Sequence, residues 1–501
     1  MKIPENTLKL IPSYVFAAAD TLKQKGFEAF LVGGSVRDIL LGKTPSDYDI
    51  ATNAYPEVIA EIFSKSIPTG AKFGTMTVLM SDEHGETFDL QITTYRSEED
   101  YFGGRWPAKV EFTKTIEEDL ARRDFTINAI ALDLSAEIGS PQLLRNPFDG
   151  LRDLELGIIR AVRDPLERFT EDGLRPVRAC RLAAQLNFKI EPATLAAMTQ
   201  TNHVTAKVSA ERLRDELMKL LLKSSKPSIG LRLMQQTGIL KLIIPELEDG
   251  MGVTQPEFHN DDVFEHSLQA CDNAEDSVKL AALLHDIGKP PTMTKDEHGT
   301  HFYGHDLKGA EMTAVIMQRL KFPNSEIHRT ANLVRWHMFY YPSADWRKST
   351  VSDDDNSVSL TDEQVGKVLA EKGERQQGGW TDGAVRRLIH NVGGEEQIDE
   401  LMKLRIADAT ANPKHKFNPK ELDALAERIA DVRAKDMAIK VTDLNITGSE
   451  LIAQLQITAG PLVGETLRYL LDLVIEDVQL NNRETLLDLA AGFLRSKGVL
   501  N

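Results

Sequence analysis

A chain of 501 residues is too long for one hydrophobic core and suggests about three or four domains. With 42% hydrophobic and 27% charged residues it reads as a soluble globular protein; no apolar run approaches the roughly 20 residues of a membrane-spanning helix, and MKIPENTLKL lacks the basic-then-apolar order of a secretory signal. The two cysteines, Cys180 and Cys271, exclude a disulfide framework and fit the reducing cytoplasm, while the net charge of −17 bears on solubility rather than on any one site.

In chain order, residues 28–32 read as a strand, 35–41 as a helix and 48–52 as a second strand, with further strand composition at 75–80 and 87–95. From about 164 to 247 the pattern turns helical. The stretch 160–226 is locally basic, with Arg160, Arg163, Arg168, Arg175, Arg178, Arg181, Lys207, Arg212, Arg214, Lys219, Lys223 and Lys226. Such a run fits a phosphate backbone or a solvated helix face. Residues 255–345 make a second helical unit, rich in histidine. The polar DDDNSVS and the paired glycines of ERQQGGW then break the pattern, so an insertion or linker is expected near 349–379, with helices returning from Thr381. The expected chain is α+β: a small mixed-sheet head over 1–160, a helical neck over 161–250, a helical domain over 251–420 and a helical tail over 421–501.

The segment LVGGSVRDILLGKTPSDYDIAT concentrates the chemistry. Gly33-Gly34 make a turn whose bare backbone can approach a phosphate, and Ser35 opens a helix with free N–H groups facing the same spot. Arg37, one turn in, is placed for a charge-assisted contact to a triphosphate. Asp47 and Asp49 alternate with Tyr48 at a strand edge and so share a face. At about 7 Å apart along a strand they repel unless a cation lies between them. Mg²⁺ takes one or two carboxylates plus phosphate oxygens and serves phosphoryl transfer. Taken alone, the pair also fits an exposed acidic turn, and Gly-Gly-Ser an ordinary turn.

GGSVRDILLG followed by DYDIAT resembles motif A of class II tRNA nucleotidyltransferases, in the polymerase-β-like superfamily. Arg122-Arg123-Asp124-Phe125-Thr126-Ile127-Asn128-Ala129 is similar to the family's ribose-selecting motif, NPFDGL at 146–151 to its hinge-bearing motif, and Glu171-Asp172-Gly-Leu-Arg175 to its base-reading EDxxR pattern. The resemblance implies a nucleotidyltransferase head using Asp47 and Asp49, with Gly33, Gly34, Ser35, Arg37, Arg123, Asp124, Asn128, Asp172, Arg175, Arg178 and Arg181 at the nucleotide. The base reader has its own logic. Asp172 and Arg175, three apart on a helix, are neighbours that together offer an acceptor and a planar donor, the edge a base would recognise. Arg178 and Arg181 continue that spacing towards the triphosphate or the RNA. Two features depart from the pattern. Pro176 implies a kink or a helix start close by, and Gln91 stands where the family often has an acid, with Asp89 two residues earlier on the same face. The segment 97–120, with EEDYFGGRWPAKVEF, resembles the flexible loop of members that can add A; an ordinary surface hairpin also fits.

His266 in VFEHSLQA, His285-Asp286 in LLHDIGKP and Asp408 in KLRIADAT resemble the H…HD…D set of the HD phosphohydrolase superfamily. That resemblance implies a divalent metal (Ni²⁺, Mn²⁺ or Mg²⁺) and phosphate-ester hydrolysis, with His305 and His337 as further candidates at the site's edge. WTDGAVRRLIHNVG and ITGSELIAQLQITAGPLVGETL resemble the C-terminal half of bacterial members with an HD region. The leading expectation is template-independent addition of nucleotides from CTP and ATP to tRNA, with no membrane partner. A-addition alone is the nearest rival, a poly(A) polymerase fits the long extension poorly, and an RNA-binding protein or phosphohydrolase with an inactive head is the reading from another class.

Overall fold

The computed structural model describes residues 5–82, 84–102, 106–136, 140, 143–254, 262–297, 299–339, 381–411, 419–434 and 440–500, so the insertion expected at 349–379 lies outside the described residues. Two compact units divide the chain: Met1–Glu248 with Arg319–Lys321, and Asp249–Gln318 with Phe322–Asn501.

The strands of the first unit up to residue 145 are β1 (Phe30–Val32), β2 (Asp49–Thr52), β3 (Ser66–Gly70), β4 (Thr75–Ser81), β5 (Thr87–Thr94), β6 (Arg96–Phe102), β7 (Trp106–Phe112), β8 (Ala131–Asp133) and β9 (Leu144–Arg145), and farther on the short Ile158–Ile159 pairs in parallel with Lys189–Ile190. Seven pair into one sheet in the order β3-β4-β5-β2-β1-β8-β9. Every neighbouring pair is antiparallel except β2 with β5. β6 and β7 form a separate antiparallel hairpin, so the segment expected as a flexible loop is paired backbone, with residues 103–105 outside the described residues.

The apolar run FLV of β1 is buried along its length, because both faces of the sheet are covered there. On one face Phe30, Val32, Ala51 and Tyr95 share a core with Ile116, Leu120, Ala131 and Val162. The register sets Val32 opposite Asp49 and Asp49 opposite Gln91. The end of β1 therefore lies beside the start of β2, and the glycine turn leaves the sheet next to the carboxylates.

Past the sheet the first unit is helical, with Pro165–Glu171, Leu174–Leu186, Pro192–Gln200, Ala210–Lys223 and Pro227–Gln236 as its longer helices. Proline opens three of these, where a backbone N–H would be unpaired anyway, and the side chains of Asp164 and Glu191 accept from free N–H groups at two of the starts. Leu174–Leu186 packs against both Ala210–Lys223 and Pro227–Gln236, burying Val177, Cys180, Leu217, Leu220, Leu231 and Met234. Pro176 causes no kink. It is the third residue of its helix, inside the first turn, where no intrahelical donor is lost.

In the second unit Val263–Asn273, Lys279–Leu284, Asn324–Trp336, Asp382–Val392, Glu395–Thr410 and Pro419–Arg433 enclose a core that includes Ala270, Ala282, Leu333, Ile389, Leu404 and Leu425. A small hairpin, Thr294–Asp296 with Gly299–His301, interrupts the helical pattern expected there. Gly448–Leu455, Pro461–Glu476 and Arg483–Ser496 close a separate core around Leu451, Leu470, Val474, Leu486 and Leu494, the first of them started by a Thr447/Glu450 capping box. The architecture is α+β, a mixed-sheet head followed by helices. Among the described residues no helix is long and apolar enough to cross a membrane.

Candidate functional site

Leaving β1, the chain turns through Gly33 at φ +78°, a conformation that favours glycine. A Cβ there would stand 3.0 Å from Arg123 Nη1 and 3.8 Å from Asp49 Oδ2, so the bare turn is what lets a guanidinium and a carboxylate come close. The helix Gly34–Leu40 starts one residue before the expected one. Ser35 is buried and its hydroxyl donates to the Val32 carbonyl at 2.8 Å, so it pins the turn rather than lining the cleft beside it. β2 begins at Asp49 and Asp47 belongs to the loop before it. The alternation nevertheless holds: Tyr48 is buried and donates to the Leu10 carbonyl (2.8 Å), while Asp47 and Asp49 both face the cleft. Burial raises the Asp49 carboxyl's pKa, Arg123 pulls it down, and Asp47 pushes it up again. A carboxylate raised by burial and by a facing neighbour in this way is suited to a divalent cation.

The cleft has a volume of about 750 Å³ and lies wholly within the first unit. It brings together Gly33, Gly34, Arg37, Asp47, Asp49, Arg123, Asp124, Asn128, Asp172, Arg175, Arg178 and Arg181, that is, every residue that the resemblance places at the metal or the nucleotide except Ser35, while Asp89 and Gln91 do not line it. Arg212, Lys219 and Lys223 of the basic stretch line it too.

A continuous set of polar contacts orders these side chains. Arg37 donates to Asp38 (Nε, 2.8 Å) and to Asn128 Oδ1 (Nη1, 2.9 Å); Asn128 donates to Asp124 at 3.0 Å, and Arg178 donates to the other Asp124 oxygen at 2.7 Å. Burial pushes the Asp124 carboxyl up, but the charge and hydrogen bond of Arg178, together with Asn128, outweigh it and hold the group below the ordinary carboxylate range. Farther along, Glu216 accepts from Arg181 Nε at 2.6 Å and lies 3.8 Å from Arg178 Nε. In the head, fully buried Asp119 holds both Arg122 (2.9 Å) and Arg123 (3.2 Å).

The expected Asp172/Arg175 couple differs in one respect. Asp172 sits in the break between Pro165–Glu171 and Leu174–Leu186, in extended backbone, so the two residues are not a turn apart on one helix. Arg212 instead holds Asp172 with one Nη at 2.8 and 3.1 Å from its two oxygens. Arg175 is buried and donates to Glu171 (2.6 Å) and to the carbonyls of Arg168 and Arg122 (both 2.9 Å). Both side chains reach the cleft, each fixed by a partner of its own.

In the second unit His266, His285, Asp286, His305 and His337 are buried around one point, with Asp408 beside them. His266 Nε2 is 3.0 Å from Asp408 Oδ1, and His285 Nε2 is 3.2 Å from Asp286 Oδ2 and 3.5 Å from Asp408 Oδ1. Lys289 and Arg405 lie 2.7 Å from Asp286 and Asp408 respectively. The H…HD…D residues are thus assembled, and His305 and His337 stand within the cluster rather than at its edge.

Residues 29–160 match the family model of the poly A polymerase head domain, 187–251 that of the "Probable RNA and SrmB-binding site of polymerase A", 259–413 the HD domain, and 396–490 domain 2 of tRNA nucleotidyltransferase. A CCA-adding enzyme of Ligilactobacillus salivarius is 46% identical over 239 residues, covering 48% of this chain and 55% of that enzyme. One of Enterococcus faecalis is 47% identical over 218 residues, 43% and 51% respectively. In this succession of modules the chain is similar to tRNA nucleotidyltransferases of the CCA-adding kind. Its alignments span about half the length of the curated relatives it matches. The fold resembles that of the Bacillus stearothermophilus CCA-adding enzyme solved with CTP (TM-score 0.63, 23% identity, 99% of each chain). It also resembles the Thermotoga maritima enzyme solved with tRNA (TM-score 0.52, 20% identity, 99% of each chain).

The sequence carries no sign of Glu216 and Asp38, and little of Asp119, as the carboxylates that hold the cleft's arginines. Asp119 carried a signal, since it stands three and four residues before Arg122 and Arg123 and so shares their side of a helical turn. Glu216 carried none, because its arginine partner Arg181 is 35 residues away.

Proposed function

We propose that the chain adds nucleotides from CTP and ATP to the 3′ end of tRNA, building or repairing the CCA terminus without a template. The observation that carries this reading is the one cleft in which a bare glycine turn, two facing carboxylates and a rank of fixed arginines converge. In the reaction the terminal ribose hydroxyl attacks the α-phosphorus of the nucleotide, the bond to the β-phosphate oxygen breaks, pyrophosphate leaves, and the hydroxyl proton is released. Asp47 and Asp49 would hold Mg²⁺, which would supply charge neutralisation to the triphosphate and acidity to the hydroxyl. The chain does the rest. Gly33 and Gly34 seat the phosphates against bare backbone, while Arg123, Arg37, Arg178 and Arg181 offset their charge. Asp172, held by Arg212, offers a fixed acceptor, and Arg175, held by Glu171, a fixed donor. Side chains that are positioned before the nucleotide arrives select it without a template strand.

Purified protein offered tRNA ending before CCA, after one C and after CC, with each nucleotide, tests this. Stepwise addition of C, C and A is expected. Extension of the CC-ended substrate alone would favour A-addition, runs of A a poly(A) polymerase, and no extension would reject the reading.

A second reading concerns the other unit: His266, His285, Asp286 and Asp408 bind a divalent metal, Ni²⁺, Mn²⁺ or Mg²⁺, for hydrolysis of phosphate esters. Its support is chemical. His285 donates from Nδ1 to the Ala282 carbonyl at 2.8 Å, which turns Nε2 towards the two carboxylates as metal-binding histidines are usually oriented. Metal content together with turnover of a cyclic or monoester phosphate checks it, and absence of both rejects it. Division of the chain at about 160, 250 and 420 accompanies this proposal, as does a reducing cytoplasmic setting, which the two buried free thiols of Cys180 and Cys271 favour.

A further inference from the structure

The cleft of the first unit is walled by glycines and by polar or charged side chains, with one exception among its described lining residues, Phe73. This half-buried residue ends a single 3₁₀ turn, Ala71–Phe73, just before β4. Its place is fixed from behind. Arg96, itself a lining residue, donates to the Phe73 carbonyl. Gly74 follows at φ +81°, where a Cβ would meet the Phe112 ring at 2.9 Å, and its carbonyl accepts from the Thr94 N–H at 2.9 Å.

Topology decides which reactant Phe73 meets. In the sheet order β4-β5-β2-β1, Asp49 stands on β2. The Gly33-Gly34 turn leaves β1 on one flank of it, where Val32 is opposite Asp49. Phe73 and Thr75 line the cleft from the other flank, at the start of β4 and beyond β5. In phosphoryl transfer the attacking and leaving oxygens lie in line on opposite sides of the phosphorus. With pyrophosphate leaving over the glycine turn, the attacking ribose arrives from the β4 flank, and its base comes with it.

We propose that Phe73 is the stacking platform for the base of the RNA's terminal nucleotide. This rests on the nucleotide-addition reading given above and gives its second substrate a place. Successive additions present different terminal bases, and a ring accepts any of them, because every base has a π-face. Hydrogen-bonding side chains choose between bases, which falls to Asp172 and Arg175 at the incoming nucleotide.

The test uses the full chain and tRNA ending in CC, either intact or with its terminal nucleotide abasic. Phe73→Leu keeps apolar bulk and removes the ring, whereas Phe73→Tyr keeps the ring; circular dichroism checks that both fold. On the intact end Phe73→Leu should raise the KM for RNA about fivefold or more, with the KM for ATP within about twofold of native and Phe73→Tyr restoring the native value. The abasic end should raise the native protein's KM for RNA as much, a comparison that needs no variant, and Phe73→Leu should add nothing to that rise. Equal losses from Phe73→Leu on both ends would overturn the platform, as would a rise in the KM for ATP instead, which would set the incoming base on the ring. Equilibrium binding of the two RNAs without nucleotide gives a readout apart from catalysis: native protein should hold the intact end about fivefold more tightly, and Phe73→Leu should hold both alike. Native protein that extends no RNA would reject the nucleotide-addition reading; the same binding difference would still uphold the platform, and its absence would overturn it.

Discussion

Replacing Asp119 with asparagine tests whether the carboxylates behind the cleft set the pose of its arginines. The native carboxylate is fully buried and meets Arg122 through one oxygen at 2.9 and 3.0 Å and Arg123 through the other at 3.2 Å. Asparagine keeps the shape but removes the charge and turns an N–H₂ towards a guanidinium. Breaking a buried ion pair from one side costs about 3–5 kcal/mol. The two arginines retain 17% exposure and can turn partly to solvent, so the lower end, about 3 kcal/mol, is the expected loss of stability. If half of that reaches the nucleotide through a displaced Arg123, kcat/KM for CTP and ATP falls roughly tenfold. Burial pushes the Asp119 carboxyl up, but Arg122 and Arg123 outweigh it and leave its pKa lowered. Its contribution is therefore complete above the unfolded value of about 3.9 and is lost as pH falls through the lower folded value. The gap in urea midpoint between native protein and variant should be wide at neutral pH and close in acid. Unchanged midpoint and unchanged single-nucleotide incorporation at neutral pH would refute the reasoning, as would a gap that stays wide down to the lowest pH.

Three further outcomes are expected. Asp47→Asn or Asp49→Asn should cut incorporation by more than about 100-fold. The urea midpoint of Asp49→Asn should hold or rise, because that carboxylate is raised by burial and by its neighbour; a marked fall would contradict this assignment of strain. Gly33→Ala forces a side chain into a positive-φ conformation at about 1–3 kcal/mol and sets a Cβ 3.0 Å from Arg123; nucleotide KM should rise, and a native KM would show that the turn does not seat phosphate. Arg175→Ala should blur the choice between C and A while Mg²⁺ affinity is retained, and an unaltered C-to-A ratio in single-nucleotide incorporation would reject its role as base reader.

The head was legible because its chemistry sits in short contiguous runs. GGSVRD and DYDIAT place turn, arginine and carboxylates within a few residues, and the register Val32 to Asp49 brings them side by side. β1, β2, β4 and β5 were readable from composition. β3 was not, since SIPTG carries a proline and a glycine that read as turn, and β8 and β9 span only three and two residues. The Asp172/Arg175 geometry departs from the expected neighbours on one helix because the chain breaks at Asp172 and Gly173. Gly173 with Pro176 signals a restart, and the break frees Asp172 to meet Arg212 from another helix. His305 and His337 stand out in the sequence, but nothing in their spacing shows that both present an unmatched ring nitrogen to the same oxygen.

The string Asp38, Arg37, Asn128, Asp124, Arg178 leaves no member independent, since each is tied to the next. Reversing a single charge would strand the residue on either side of it in a poorly hydrated setting. Tolerated change along this string should therefore come in compensating sets rather than one residue at a time, and an engineer seeking a new nucleotide preference would do better to exchange it as a block.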